Sequence, residues 1–153
     1  MSHLKSAHVV ETIRGSADAA PQVTDYLFEA PNRMRLDVND GAAKVVIGEQ
    51  GYRRNPSSTT WTPERWPSPF AWPSQFYDSF WSGATAVRAV AADAVDGTPT
   101  TVLAFVRPDL PAWFRLWVDA TGRVQRLEML TDGHLMDQHF DRFDAAAPVT
   151  APG

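Results

Sequence analysis

Cysteine is absent from the chain, which excludes disulfides, thiolate metal ligands and a thiol nucleophile. Lysine is nearly absent too, since Lys5 and Lys44 are the only two, and the net charge is −4. Nucleic-acid-binding proteins normally present a basic face, so we expect no nucleic-acid partner. The sequence also lacks a recognisable signal peptide and any apolar run of the length needed to span a membrane.

Catalytic motifs are missing as well. The chain contains neither a Gly-x-Ser-x-Gly nucleophile elbow nor a glycine-rich phosphate loop. Asp137 and Asp141 would share one face of a late strand, which is more typical of a solvated face than of a catalytic acid pair. We therefore predict a non-enzymatic protein that uses no cofactor.

Aromatic residues, by contrast, are abundant. Six tryptophans and eight phenylalanines stand among 153 residues, and 44% of the chain is apolar, which is enough for one domain with a substantial core. We place that domain at residues 1–144. Residues 145–153 are rich in alanine and proline and are expected to form a flexible tail.

Short β-prone runs separated by turn signals fill most of the domain. The turns are indicated at Pro31-Asn32, Asp40-Gly41, Gln50-Gly51, Asp96-Gly97, Thr121-Gly122 and Asp132-Gly133. This spacing predicts an all-β fold, an antiparallel meander rather than alternating strands and helices. We expect strands near residues 5–14, 22–30, 33–39, 43–48, 51–54, 84–95, 99–107, 112–119, 123–131 and 134–143.

The Asp40-Gly41 pair suits a two-residue hairpin turn, because glycine and aspartate tolerate the positive φ values of that turn. Such a turn fixes the register of its two strands. The facing pairs would be Val38 with Ala43, Leu36 with Val45, and Met34 with Ile47. All six side chains are apolar and would share one face.

Residues 111–130 are predicted to form a hairpin with large apolar groups on both faces. Side chains alternate along a strand, so one face carries Phe114, Leu116 and Val118, and the other carries Trp113, Arg115 and Trp117. An antiparallel sheet with one face in water would not place two tryptophans there. Either a second layer covers that face, or the face lines a hollow that holds an apolar ligand.

Residues 61–82 interrupt the pattern of strands. They hold four of the six tryptophans and four prolines. Proline is excluded from central strands and interrupts helices, so only residues 74–81 are expected to form a short helix. Exposed aromatic side chains would forgo burial worth about 1.5–3 kcal/mol each. We therefore predict that this segment folds over an apolar surface as a lid.

The best candidate ligand site combines aromatic residues of the lid and of the two-faced hairpin. Its residues are Trp61, Trp66, Trp72, Phe76, Phe80, Trp81, Trp113 and Trp117. Together they would line one apolar cavity for a lipid or another apolar small molecule. The alternative is an ordinary core between sheet and lid that leaves no space for a ligand.

The best candidate metal site lies in the last hairpin. A turn at Asp132-Gly133 would place Met129 opposite Met136, with His134 on the same face. Imidazole and thioether donors suit copper, Cu(I) especially. The alternative, which we prefer, is that the two methionines fill gaps in the core and His134 belongs to the turn.

Several stretches of the chain, in this order, resemble periplasmic lipoprotein-carrier (LolA-like) domains. They are residues 4–14, 26–36, 45–48 with 52–54 and Trp61, 105–108, and 117–119 followed by Thr121-Gly122-Arg123-Val124. The resemblance implies an open, strongly curved antiparallel half-barrel whose concave side is filled by a lid of loops and short helices. In that family the hollow binds acyl chains of lipoproteins or other lipids. Such domains usually open with an N-terminal helix that crosses the hollow, and only a few residues precede the first strand in this sequence. Either that helix was cut off or the domain is a shortened variant.

The resemblance also implies a location outside the cytoplasm, in the periplasm or at the cell surface. We expect the chain to belong to a longer exported or membrane-anchored protein, with a complete small cytosolic protein as the alternative. The predicted function is a non-enzymatic binding module for a lipid-like ligand. An extracytoplasmic copper-binding or sensory domain that uses the His/Met hairpin, and a structural interaction domain with a filled core, are the other hypotheses. No oligomeric state is predicted.

Overall fold

The computed structural model describes residues 3–66, 71–72 and 81–153. Within these ranges the chain forms eleven strands in one antiparallel sheet. The strands are β1 (Ser6–Arg14), β2 (Gln22–Glu29), β3 (Arg33–Val38), β4 (Ala43–Ile47), β5 (Gln50–Arg54), β6 (Thr62–Arg65), β7 (Thr85–Val95), β8 (Thr98–Arg107), β9 (Ala112–Asp119), β10 (Val124–Thr131) and β11 (His134–Asp141). Their order across the sheet is β6-β5-β4-β3-β2-β1-β11-β10-β9-β8-β7.

The predicted all-β antiparallel meander is confirmed, as an open, curved half-barrel that does not close. Two meanders, β1 to β6 and β7 to β11, join where the first strand pairs with the last, with Val9 opposite Phe140. Short turns reverse the chain between neighbouring strands. At two of these turns, Gly97 and Gly133 have φ values of +79° and +68°, which residues with a Cβ atom rarely adopt. The described residues contain no helix of the length and hydropathy needed to cross a membrane.

The predicted register of the first hairpin is wrong by one residue. Leu36 lies opposite Lys44, not opposite Val45, and the other two predicted pairs are shifted in the same way. The loop contains three residues, 39–41, instead of two, and its glycine has a φ of +93°. Three-residue loops of this kind, with a left-handed glycine in the third position, are common in hairpins. The slip changes which side chains of β4 share a face with those of β3.

One face of the sheet, which we call the core face, carries most of the apolar side chains. Its completely buried residues include Val9, Phe28, Val46, Phe114 and Leu127. The rings of Phe105 and Phe114 stack across β8 and β9 with centroids 4.9 Å apart. Burial of side chains of this size contributes about 1.5–3 kcal/mol each. The core face therefore provides most of the apolar stabilisation.

The opposite face, which we call the outer face, is rich in charged pairs. Arg35 donates hydrogen bonds to Asp37 on the same strand. Arg126 donates to Asp137 across the strand pair and to Glu128 on its own strand. Ion pairs that remain in contact with water contribute about 0–1 kcal/mol each. These pairs give the charged groups of the outer face partners of opposite charge but add little to the stability of the sheet.

Strand β6 was not predicted, because residues 62–65 fall inside the proline-rich lid. It pairs with β5, where Pro63 lies opposite Tyr52. An edge strand has a partner on one side only, so proline is tolerated there although it is excluded from central strands.

Part of the predicted flexible tail is held against the sheet. Val149 is 1% exposed, and its N–H donates to Glu29 at 2.9 Å while its carbonyl accepts from Arg33 at 3.0 Å. The N–H of Ala146 donates to the Ser6 hydroxyl at 3.2 Å. The chain after β11 is thus tied to the first three strands, in spite of its composition.

Candidate functional site

The residues between β6 and β7 connect the two edges of the sheet. Adjacent strands lie about 4.8 Å apart, so eleven strands span roughly 48 Å along the sheet. A chain that joins the edges must cross one of the faces. Trp66, Trp72 and Trp81 all pack against the core cluster, so the described residues of this connection (66, 71–72 and 81–84), which we call the crossing segment, lie on the core face. The described part of the predicted lid therefore lies against an apolar surface.

The crossing segment is attached firmly where it leaves β6. The N–H of Trp66 donates to the carbonyl of Glu49 at 2.9 Å. The ammonium of Lys44 lies over the Trp66 ring, 4.6 Å from its centroid, and forms an ion pair with Glu64 at 3.0 Å. Lys44 points to the core face only because of the one-residue slip in its hairpin. One of the two lysines of the chain thus fixes the start of the lid.

Trp72 is the described lid residue that is buried most completely, at 2% exposure. Its ring stacks on Phe28 with centroids 5.7 Å apart and an interplanar angle of 7°, and Phe28 stacks in turn on Tyr26 at 5.5 Å. The N–H of Trp72 donates to the carbonyl of Pro31 at 3.0 Å. Its indole Nε1 is buried and has no hydrogen-bond partner in the described part of the chain. A column of flat rings therefore joins sheet and lid.

The structure brings together only part of the predicted ligand site. The lid residues that meet on the core face are Trp66, Trp72 and Trp81. Trp61 is half-buried before β6, with the guanidinium of Arg54 over its ring at 5.1 Å. Phe76, Phe80 and most of the predicted helix at 74–81 lie outside the described residues.

Trp113 and Trp117 lie on the outer face, across the sheet from the lid. The guanidinium of Arg115 covers Trp113 at 4.6 Å, and that of Arg126 covers Trp117 at 4.7 Å. The Trp117 indole also donates to Asp93 at 2.9 Å, which lowers the pKa of that carboxyl. The hairpin is two-faced as predicted, but these two tryptophans do not share a hollow with the lid tryptophans. Arginine side chains cover them instead.

A polar group in the middle of the core face was not anticipated. Glu11 is 6% exposed and Gln138 is completely buried. The Tyr26 hydroxyl donates to Glu11 Oε1 at 3.0 Å, and Gln138 Nε2 donates to Oε2 at 2.6 Å. Burial, together with the Glu11 carboxylate, raises the pKa of Tyr26. The signal was present in β1, where Glu11 alternates with the apolar residues Ala7, Val9 and Ile13.

A second polar group, on the outer face, was also missed. His8 is 5% exposed and lies between two aspartates on the neighbouring strands. Its Nδ1 contacts Asp141, and its Nε2 lies 3.0 Å from Asp25. His8 thus connects β1 with both of its neighbours.

The predicted register of the last hairpin is confirmed, with Met129 opposite Met136 and Thr131 opposite His134. Both methionines are buried in the core cluster. Among the residues that the structure describes, no group of three or more histidine, aspartate or glutamate residues could hold a metal ion. Copper binding by the two methionines and His134 stays a prediction.

Two surface hollows lie near the Asp132-Gly133 turn, with volumes of about 480 and about 750 Å³. Leu130 and Leu135 line both hollows and face each other across the strand pair. Leu130 is 42% exposed and lies next to Trp113 on β9. The two hollows are therefore separate from the lid, and none of their lining residues is a lid tryptophan.

Solved structures share this fold, although no protein-family model and no curated protein matches the sequence. The lipoprotein LppX of Mycobacterium tuberculosis has a TM-score of 0.69 at 16% identity, over 97% of this chain and 91% of LppX. LprF of Mycobacterium bovis has a TM-score of 0.63 at 16% identity, over 99% of this chain and 90% of LprF. The MucA/MucB complex of Pseudomonas aeruginosa has a TM-score of 0.53 at 22% identity, over 97% of this chain and 53% of the matched chain.

At these identities the likeness establishes the fold. The open half-barrel expected from the sequence is confirmed as the architecture of this chain. What the hollow of such a fold holds in this protein has to be argued from its own residues.

Proposed function

We propose that this chain is a non-enzymatic module that holds a lipid-like or other apolar ligand between the core face and the crossing segment. The observation that carries the proposal is the way the core face is covered. The described contacts of Trp72 include its ring stacked on Phe28 and one backbone hydrogen bond to Pro31. An apolar chain that lies between the Trp72 ring and Phe28 would keep both rings buried against apolar atoms.

The energy scale supports reversible opening at this point. A stacked aromatic pair contributes about 0.5–1.5 kcal/mol beyond its burial, and one hydrogen bond contributes about 0.5–1.5 kcal/mol net. Both are small compared with the binding free energy of a micromolar ligand, which is about 8 kcal/mol. Ligand binding can therefore separate the Trp72 and Phe28 rings without unfolding the sheet.

The fold relatives support a location outside the cytoplasm. LppX, which shares the fold over 97% of this chain, is a lipoprotein. We place the module in the periplasm or at the cell surface, where a half-barrel with an apolar face can take up lipid-like molecules. Attachment to a longer, membrane-anchored chain remains a prediction.

Binding of the neutral apolar dye N-phenyl-1-naphthylamine tests the proposal. We expect the dye to bind the wild-type protein, and Trp72→Ala to weaken binding about tenfold or more because the dye loses its aromatic partner. Trp113→Ala, on the outer face, is the matched control and should bind the dye like the wild type. Absence of dye binding by the wild type, or equal effects of the two substitutions, would contradict the proposal. Native mass spectrometry of the purified protein then identifies a co-purifying lipid.

A further inference from the structure

We propose that Glu11 and Gln138 form a polar anchor for the ligand, which accepts hydrogen bonds from a donating head group, a hydroxyl or an ammonium. The inference rests on the proposed function, because it specifies the class of ligand that the core face would hold. It is carried by the position of the two side chains, by the absence of a cation beside the carboxylate, and by one buried acceptor without a partner.

The anchor lies at the centre of the sheet. Strand β1 is the sixth of eleven strands, and Glu11 on β1 lies directly opposite Gln138 on β11. Leu127 on β10 faces Gln138 from the other side. Along β1, Val9 and Ile13 flank Glu11 on the same face. A polar group at this position would contact a ligand that lies along the core face.

The carboxylate of Glu11 has no cationic partner. Its hydrogen-bond donors are the hydroxyl of Tyr26 and the amide of Gln138, both neutral. No described arginine, lysine or histidine forms an ion pair with it, and residues 67–70 and 73–80 contain no basic residue at all. Buried carboxylates are costly unless they are paired or fully hydrogen-bonded. A donating or positively charged group of a ligand would therefore be bound favourably here.

The unused hydrogen-bonding capacity of the anchor consists mainly of acceptors, beside the second N–H of Gln138 Nε2. Gln138 Oε1 is buried and has no hydrogen-bond partner in the described structure. Each Glu11 oxygen accepts one bond from the protein and has a second lone pair available. Buried polar atoms without partners are rare in folded proteins and call for an explanation. A ligand hydroxyl or ammonium supplies the missing donors, whereas an ester or a carboxylate supplies only further acceptors.

Three ligands with the same ten-carbon chain test the anchor: decylamine, decan-1-ol and methyl decanoate, each used to displace N-phenyl-1-naphthylamine from the wild-type protein. We expect half-displacement by the amine and the alcohol at concentrations about tenfold or more below that of the ester, since a hydrogen bond to a charged acceptor is worth at least that factor. The amine will bind more tightly than the alcohol if the charge of Glu11 contributes to binding. The two affinities will be equal if hydrogen bonding alone determines them.

Substitutions test whether the Glu11–Gln138 pair causes this preference. Glu11→Gln removes the charged acceptor, so it should reduce the preference to less than about threefold while the ester still binds. Gln138→Leu removes one acceptor but also the amide that donates to Glu11 Oε2, so the preference should persist because the carboxylate stays available. Thr100→Val is the matched control, because the Thr100 hydroxyl is also buried without a partner but belongs to β8. It should leave the preference unchanged.

The outcomes separate the anchor from the proposed function. Equal displacement by all three ligands in the wild type overturns the anchor and leaves apolar binding in place. A preference that survives in Glu11→Gln also overturns it. No displacement by any ligand refutes the proposed function itself. Equal displacement in the wild type overturns the anchor even if a variant fails to fold.

Discussion

The two faces of this sheet are made by the same strands, but the polar side chains near their centres have different partners. On the outer face His8 is held between two carboxylates, and Arg126 contacts two more acidic residues. Three residues further along β1 from His8, on the core face, Glu11 is buried with neutral partners only. The named charges of the outer face have charged partners, whereas Glu11 has none among the described residues. This difference is the reason why we propose that a ligand group binds beside Glu11.

Truncation of a core-face ring should have the largest effect on stability. Phe114 is completely buried and stacks on Phe105, so Phe114→Ala should lower the free energy of unfolding by about 3–5 kcal/mol. Leu130→Ala on the outer face, where the side chain is 42% exposed, should cost less than about 1 kcal/mol. Urea unfolding followed by far-UV circular dichroism measures both. Similar losses would show that the core face is not the main source of apolar stabilisation.

Trp117→Ala comes next and separates stability from binding. The side chain is 5% exposed, but it lies in a small outer cluster with Val95 and Val102. We expect a loss of about 3 kcal/mol, at the lower end of the range for buried aromatic residues. Dye binding should be unchanged, because the lid is on the other face. A change in dye affinity at normal stability would restore the idea of one hollow that includes Trp117.

Substitutions of the two buried polar residues of β1, His8 and Glu11, should act in opposite directions. His8→Phe keeps a ring but removes the contacts with Asp25 and Asp141, so we expect a loss of about 2 kcal/mol. Glu11→Gln removes a buried charge without a cation and should leave stability unchanged or raise it. Urea unfolding of the two variants at neutral pH compares them directly. Strong destabilisation by Glu11→Gln would mean that the carboxylate is a structural group, not a free binding group.

The turn after β9 belongs to neither face and provides a pH-dependent reference. Although burial opposes ionisation, hydrogen bonds from Thr121, Arg123 and Gln125 hold the pKa of Asp119 below its usual range. A lowered folded-state pKa stabilises the fold above the ordinary carboxyl pKa of about 3.9, and this contribution is lost as the pH falls through the folded-state value. Asp119→Asn should therefore cost about 1 kcal/mol at neutral pH, from the weakened bonds.

Urea unfolding at low pH provides a control for Asp119→Asn. At a pH well below the folded-state pKa, Asp119 is protonated in both states, so wild type and variant should converge in urea unfolding. A difference that is independent of pH would show that the shape of the turn, not the charge of Asp119, determines its stability.

Met136→Leu should have only a small effect on stability. The exchange conserves volume in the core cluster, so it should cost less than about 1.5 kcal/mol. Isothermal titration with Cu(I) is the accompanying measurement. Uptake of one equivalent by the wild type that is lost in the variant would support the copper hypothesis; equal behaviour of the two proteins would favour a gap-filling role for the methionines.

Much of the candidate site could be predicted because it depends on local periodicity. The alternation in residues 112–119 places Phe114 and Trp117 on opposite faces whatever the rest of the chain does. Composition alone indicates that residues 61–82 must cover something. The alternation does not show which face of a two-faced strand the lid covers, and for this reason Trp113 and Trp117 were assigned to the wrong side.

Local sequence determined the strands, their turns and the sorting of side chains into two sets, because these follow from backbone geometry over a few residues. Tertiary structure alone decided the rest. The loop at 39–41 has three residues instead of the predicted two, which places Lys44 on the same face as Trp66. The pairing of the first strand with the last brought Glu11 opposite Gln138, 127 residues away. Contacts over such a distance depend on how the whole sheet assembles, and no periodicity within one strand encodes them.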